Sequence, residues 1–123
     1  MVTKKTLRLQ TWLAVQAATG NAGRIQELSE QVDTSDATVG VVQIEYPDVS
    51  SCTLMLQSCD TLGGEFVTNA AFTQGATAAC VVYLNRAAPV GASDRLSRYL
   101  RWKILGDEAT NWKTTFQMTL VLK

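Results

Sequence analysis

The stretch NWKTTFQMTLVLK, residues 111–123, alternates between apolar and polar side chains at nearly every position. Its even positions carry the large apolar residues Trp112, Phe116, Met118, Leu120 and Leu122. A two-residue period indicates a β-strand, because successive side chains of a strand point to opposite faces of a sheet. We therefore predict that these even-numbered side chains enter a core and that the odd-numbered ones face away from it.

Comparable strand patterns occur along most of the chain, separated by glycine, proline and small polar residues. The first strand is predicted from the apolar odd positions Leu7, Leu9, Leu13 and Val15. Further strands are predicted over residues 39–46, 52–58, 66–72, 78–85, 98–105 and 112–122. Residues 24–32 fit either a short strand or a single helical turn.

The order of these strands suggests how they connect. Pro47 and Asp48 are expected to end the strand 39–46, and a tight turn over residues 47–51 to pair it with the next strand. The polar residues 106–111 are expected to join the last two strands in a second hairpin. The run 78–85 is almost continuously apolar, which is typical of a central strand in a sandwich.

These elements predict an all-β fold, a two-sheet antiparallel β-sandwich of jelly-roll type with seven or eight strands. A chain of 123 residues has the size of one domain. We therefore expect a single sandwich domain over residues 1–123, with residues 1–6 as a candidate N-terminal arm. Its core is expected to combine the even side chains of the last strand with Leu100, Trp102 and Ile104.

Composition argues against several functional classes. The chain carries 11 basic and 11 acidic residues, so it has neither the basic excess of a nucleic-acid-binding protein nor an acidic tail. No apolar stretch reaches the length of a membrane span, and no secretory signal is evident, so we expect synthesis in the cytoplasm. Histidine is absent, which removes the usual general base and the commonest metal ligand. We expect no enzyme activity, no cofactor and no metal.

Three features could carry chemistry, and each has a simpler interpretation. Cys52, Cys59 and Cys80 lack the spacing of a zinc site and are interpreted as reduced core or interface residues. Asp33 and Asp36 could contribute to a calcium site, but two carboxylates in a polar sequence favour an ordinary turn.

The third feature is the basic and aromatic stretch 98–103, which resembles a surface that stacks on bases or sugars. Alternation places Trp102 on the core side and Tyr99, Arg101 and Lys103 on the other side. A basic outer face of a strand is most often simply solvated, although it could also contact an acidic neighbour in an assembly.

The candidate interface lies at the N-terminal end of the chain. Trp12 falls opposite the apolar positions of its own strand, so it either packs under a loop or anchors a protein interface, and we favour the interface because tryptophan is enriched there. The first six residues have no core-forming pattern, so we expect a neighbouring subunit to hold them. The candidate interface residues are therefore Met1, Val2, Thr3, Lys4, Lys5, Thr6 and Trp12.

Two stretches carry a resemblance to known proteins: LMLQSCDTLGGEFVTNAAF, residues 54–72, and RYLRWKILGDEATNWKTTFQMTLVLK, residues 98–123. Together they resemble the β-sandwich of discoidin-like modules and, in this short and histidine-free form, small structural proteins of tailed bacteriophages, including head-decoration proteins. The resemblance implies a virion component that binds a capsid. The aromatic loop tips by which discoidin-type modules hold sugar or lipid are not evident.

The leading hypothesis is a non-enzymatic structural protein of a virus particle that associates with itself, with other virion proteins, or with both. A carbohydrate-binding module is the alternative, because sandwiches commonly host such sites. The position of the exposed aromatic residues distinguishes the two hypotheses. Sugar binding predicts a cluster at one loop end or concave face, whereas assembly predicts aromatic residues dispersed over subunit contacts.

Overall fold

The computed structural model describes residues 5–27, 30–61, 64–73 and 79–123. Over these ranges it contains nine strands: β1 (Lys5–Ala17), β2 (Gly23–Ile25), β3 (Val32–Asp33), β4 (Val39–Ser50), β5 (Cys52–Cys59), β6 (Val67–Phe72), β7 (Ala79–Asn85), β8 (Tyr99–Gly106) and β9 (Trp112–Leu122). The same ranges contain no α-helix, and hence no helix long and apolar enough to cross a membrane.

The strands form two antiparallel sheets. One sheet has the order β1-β9-β4-β7, and the other has the order β2-β8-β5-β6, with the short β3 pairing with β8 as well. With β3 set aside, each sheet interleaves strands from both halves of the chain in the order of a jelly roll. The predicted fold class is therefore confirmed, and the described residues contain nine strands rather than seven or eight because the two-residue β3 is an additional element. Residues 24–32 contribute to the short strands β2 and β3, except that Leu28 and Ser29 lie outside the described residues.

The core lies between the two sheets and follows the predicted alternation. Phe116, Met118 and Leu120 of β9 are fully buried, as are Leu100 and Ile104 of β8. Trp102 packs its ring edge-on against Phe116, with ring centroids 5.2 Å apart. Aromatic pairs in this arrangement add to the stabilisation that burial alone provides. The last strand is therefore central in its sheet and supplies much of the core.

Both predicted hairpins are wrong. The two strands of each predicted hairpin, β4 with β5 and β8 with β9, lie in different sheets. β4 pairs with β7 and β9, whereas β5 pairs with β6 and β8. The chain turns at Ser51, whose φ of 58° lies in the left-handed region. β8 and β9 likewise belong to different sheets, joined by residues 107–111. Alternation identifies the buried face of a strand but does not identify the strand beside it.

Pro47 does not end β4, contrary to the prediction. The strand continues to Ser50, and the register of β4 against β9 shifts between Glu45 and Asp48. Proline has no N–H to donate, so it is tolerated at a bulge, where no ladder hydrogen bond is required. The irregularity therefore accommodates the proline within the strand.

The apolar strand β7 lies at the edge of its sheet. The prediction that residues 78–85 form a central strand is therefore wrong. Leu84 is buried and Val82 is partly buried on its inner side, whereas Val81 and Tyr83 on its outer side are exposed. An almost continuously apolar run can thus form an edge strand with apolar residues on its outer side.

Candidate interaction surface

Trp12 owes its exposure to an irregular first strand. Leu7 pairs with Leu120 and Val15 with Thr114, but Gln10 pairs with Met118 between two register shifts. Each shift adds one residue to β1, so the two shifts together restore the alternation of the strand. Trp12 lies within the second irregularity and is 52% exposed. Its predicted orientation is confirmed, while its role in an interface stays a prediction.

Two residues of the candidate arm, Lys5 and Thr6, lie in the first strand. Lys5 pairs with Leu122 and Thr6 with Val121, so both residues belong to β1. β9 provides pairing partners for β1 from Trp112 to Leu122, and the pairing with Leu122 includes Lys5 in the strand. Met1, Val2, Thr3 and Lys4 lie outside the described residues.

The outward side chains of the four-stranded sheet form a continuous surface, which we call the outer face. One row across the sheet contains Thr6, Val121, Val41 and Tyr83. The next row contains Arg8, Thr119, Gln43 and Val81. Tyr83 is 71% exposed and Val81 is 44% exposed, so the outer face is most apolar along β7.

The charged groups of the outer face are joined to one another. Arg8 donates from Nη1 to Oε1 of Gln117 at 2.7 Å, and Gln117 donates from Nε2 to Oε1 of Glu45 at 2.7 Å. This chain of hydrogen bonds connects a cation on β1 to an anion on β4 through the strand between them. A partner that approaches the outer face near β7 would therefore meet apolar side chains and few unpaired charges.

The exposed aromatic residues do not form a sugar-binding cluster. Trp12 and Tyr83 lie on β1 and β7, which are opposite edges of the same sheet, and neither lies at a loop tip. A cavity of about 480 Å³ beside the start of β9 is lined in part by Trp112. Trp112 is buried, however, and its Nε1 donates to the carbonyl of Asn21 at 2.9 Å. The cavity therefore offers no exposed ring on which a sugar could stack.

The acidic turn is stabilised by its own polar groups. The backbone N–H of Ser35 donates to Oδ1 of Asp33 at 2.9 Å, and Asp33 forms an ion pair with Arg98 at 3.2 Å. The hydrogen bond from Arg98 lowers the pKa of Asp33 below its usual value. Within the described ranges, no three His, Cys, Asp or Glu side chains are placed to hold a metal ion. The turn interpretation therefore accounts for Asp33.

The basic and aromatic stretch is divided between core and surface, as alternation predicted. Trp102 faces the core, whereas the Arg101 guanidinium lies 3.6 Å from the centroid of the Phe66 ring. Arg101 also donates from Nε to Oε1 of Gln57 at 3.0 Å, and burial lowers its pKa. Its guanidinium is therefore engaged within the chain.

The three cysteines are free, with Cys52 and Cys59 buried and Cys80 partly buried.

The sequence interpretation missed Val81 and Tyr83. Both residues lay within a run that was assigned to a central strand, which would have a neighbouring strand on each side. The available signal was that residues 79–85 contain no charged residue and no proline, the residues that commonly protect an edge strand. The same signal fits a buried strand equally well, so only the strand order reveals the exposure.

The fold and surface define a small jelly-roll sandwich with an apolar edge strand. No family model matches the sequence, and no curated protein matches it. One similar solved chain comes from a structure described as "Bacillus endospore appendages form a novel family of disulfide-linked pili". The match covers 99% of this chain and 91% of that chain, at 14% identity and a TM-score of 0.45. A likeness this distant does not determine the function of the chain.

Proposed function

We propose that the chain is a non-enzymatic structural protein that acts through protein–protein contacts made by the outer face of its four-stranded sheet. The single observation that carries this proposal is the exposure of Val81 and Tyr83 next to each other on β7, with Trp12 exposed at the opposite edge of the same sheet. Large apolar side chains that share a surface are typical of interaction sites. The absence of histidine from the sequence supports the non-enzymatic part of the proposal.

The distribution of the aromatic residues favours assembly over sugar recognition. A sugar site stacks rings side by side in one groove, whereas Trp12 and Tyr83 lie on opposite edges of the sheet. Two contacts at opposite edges suit a subunit with more than one neighbour. Net charge of zero is compatible with dense packing of copies, because little long-range repulsion must be overcome.

The finer proposal is a component of a virus particle, and in particular a capsid-decorating or other minor virion protein of a tailed bacteriophage. It rests on the resemblance of residues 54–72 and 98–123 to such proteins. The expected partners are other copies of this chain and other virion proteins, and the expected location is the particle.

The test compares association of the intact protein with that of Trp12→Ala and Tyr83→Ala. Light scattering coupled to size-exclusion chromatography would measure self-association, and co-sedimentation with candidate particles would measure binding to a lattice. We expect both variants to stay folded and to weaken association, because loss of an interface tryptophan typically costs about 2 kcal/mol or more. Gln16→Ala, on the same strand as Trp12, serves as the control. Retention on a polysaccharide by a protein that neither self-associates nor binds particles would contradict the proposal.

A further inference from the structure

Among the residues that the structure describes, β7 has a neighbouring strand on one side only, so its other side is an edge of the sheet. The N–H of Arg86 donates to the carbonyl of Thr38 at 2.8 Å, immediately beyond the pairing of β7 with β4. Hydrogen-bonded pairs recur at every second residue of an antiparallel ladder. Leu84, Val82 and Cys80 therefore direct their peptide groups to β4, while Tyr83, Val81 and Ala79 direct theirs away from it.

Asn85 provides an independent check on this direction. Its N–H donates to the carbonyl of Asp94 at 2.8 Å, and its carbonyl accepts from the N–H of Leu96 at 3.0 Å. Both contacts lie on the side of β7 that faces away from β4. They cover the edge at Asn85 and leave the preceding residues, 79–83, without a second strand among the residues that the structure describes.

β7 lacks the features that normally keep edge strands apart. It contains no charged residue and no proline, and no register shift interrupts its pairing with β4. β1, at the opposite edge of the same sheet, carries Lys5 and Arg8 and has two register shifts. The two edges are thus protected very differently, although they belong to one sheet.

We propose that β7 pairs antiparallel with β7 of a second copy of this chain, about a two-fold axis at Val81. This inference rests on the proposed function, and it identifies the partner and the geometry of one contact. Within the described part of β7, a pairing centred on Val81 uses each of the outward-facing peptide groups of Ala79, Val81 and Tyr83. The result is one eight-stranded sheet with a continuous outer face.

The side chains and the charge of β7 suit self-pairing in this register. Val81 faces its own symmetry mate, and Tyr83 faces the small Ala79 of the second copy, which leaves room for the ring. A two-fold axis places any charge near it beside an identical charge, which destabilises the pair. β7 contains no charged residue, so it has no such penalty in any register.

A second copy also matches β7 in length. The segment 94–96 limits the uncovered edge of each copy, so the two strands that meet are limited in the same way. A longer strand from an unrelated protein would run into this segment at Asn85. The two-fold arrangement avoids that contact because the residues that face each other all lie within 79–83.

The first test uses a pair of matched variants and sedimentation equilibrium over a wide range of protein concentration. Val81→Lys places two lysines together at the axis and should weaken dimerisation at least about tenfold. Gln43→Lys, directly beside Val81 on β4, adds the same charge to the outer face one strand away from the edge and should have little effect. Equal weakening by the two variants would overturn edge pairing in favour of face-to-face docking.

Val81→Pro provides a second variant that should not disturb the fold. The N–H of Val81 points away from β4, so its removal should leave the thermal midpoint nearly unchanged, while dimerisation should be lost. A folded Val81→Pro protein that dimerises like the wild type would overturn the proposal. A wild-type chain that stays monomeric but binds virion proteins would overturn the pairing and leave the proposed function standing.

Oxidative cross-linking tests the register. In a Cys80→Ser background, Val81→Cys should give a covalent dimer, because directly opposed residues of a hydrogen-bonded pair have Cα atoms about 5.5 Å apart, within disulfide range. Tyr83→Cys should not cross-link, because the two equivalent positions lie roughly 13 Å apart along the strands, at about 3.3 Å per residue. Equally efficient cross-linking at both positions would overturn the register.

Discussion

Trp102 of one sheet donates a hydrogen bond from its indole Nε1 to Oε1 of Gln10 in the other sheet, at 2.8 Å. Gln10 faces the core because it lies between the two register shifts of β1. A second glutamine makes a similar link: Gln26 accepts from the N–H of Trp102 at 3.2 Å and donates to the carbonyl of Leu9 at 2.9 Å. The irregularity of β1 thus supplies the polar partner that the buried indole N–H of Trp102 requires.

Gln10→Leu should lower the free energy of unfolding by about 1–3 kcal/mol, because it leaves the indole N–H of Trp102 buried without a partner. Urea denaturation would measure the loss. Gln16→Leu, at an exposed position of the same strand, is the matched control and should change stability little. Equal stability of the two variants would mean that the hydrogen bond contributes nothing net.

Strand alternation predicted the faces of the sandwich but not its connectivity. The inward positions of β8 and β9 and the outward orientation of Trp12 followed from a two-residue period, which is a property of each strand alone. Strand partners depend on contacts between distant segments, so the sequence pattern around Ser51 equally fits a hairpin or a crossing between sheets. The hairpin prediction failed for that reason.

The candidate surface was predicted only in part. Trp12 was identified because its position conflicts with the pattern of its strand. Val81 and Tyr83 were missed because an edge strand and a central strand can share one apolar sequence, and only the position of β7 in the sheet distinguishes them. Buried Gln26 was also missed, since a glutamine in a polar stretch gives no local signal of its contact with Trp102.

Phe116→Ala should destabilise the protein by about 3–5 kcal/mol, because it removes a fully buried ring that packs against Trp102 and leaves a cavity. Gln117→Ala, at the adjacent outward position, should cost less than about 1.5 kcal/mol through its hydrogen bonds to Arg8 and Glu45. Chemical denaturation of both variants provides the comparison. Equal losses would show that the assigned faces of β9 are incorrect.

Ser51→Val should destabilise the crossing between β4 and β5 by about 1–2 kcal/mol, because a β-branched residue rarely adopts a positive φ. Ser51→Gly should be tolerated much better, because glycine adopts this conformation readily. Thermal unfolding of the two variants measures the difference. If valine were tolerated as well as glycine, the left-handed conformation at this corner would not be required by the fold.

Asp33 should make stability depend on acid pH. The hydrogen bond from Arg98 lowers the pKa of Asp33 below 3.8, its value in the absence of such interactions. Because the folded-state pKa is the lower one, the stabilisation is fully present above the unfolded value and is lost as pH falls through the folded value. The expected window therefore lies at and below about pH 4.

Asp33→Asn should flatten the dependence of the unfolding free energy on pH in this window, and the difference from the wild type should shrink at high salt, since the ion pair is exposed. Asparagine can still accept the hydrogen bond from Ser35, so the turn itself should persist. Asp36→Asn, in the same turn, serves as the control because Asp36 has no ion pair within the described part of the chain. Urea denaturation at pH 3 and at pH 6 measures the effect. An unchanged slope for Asp33→Asn, or an equal change for the control, would assign the acid sensitivity to other carboxylates.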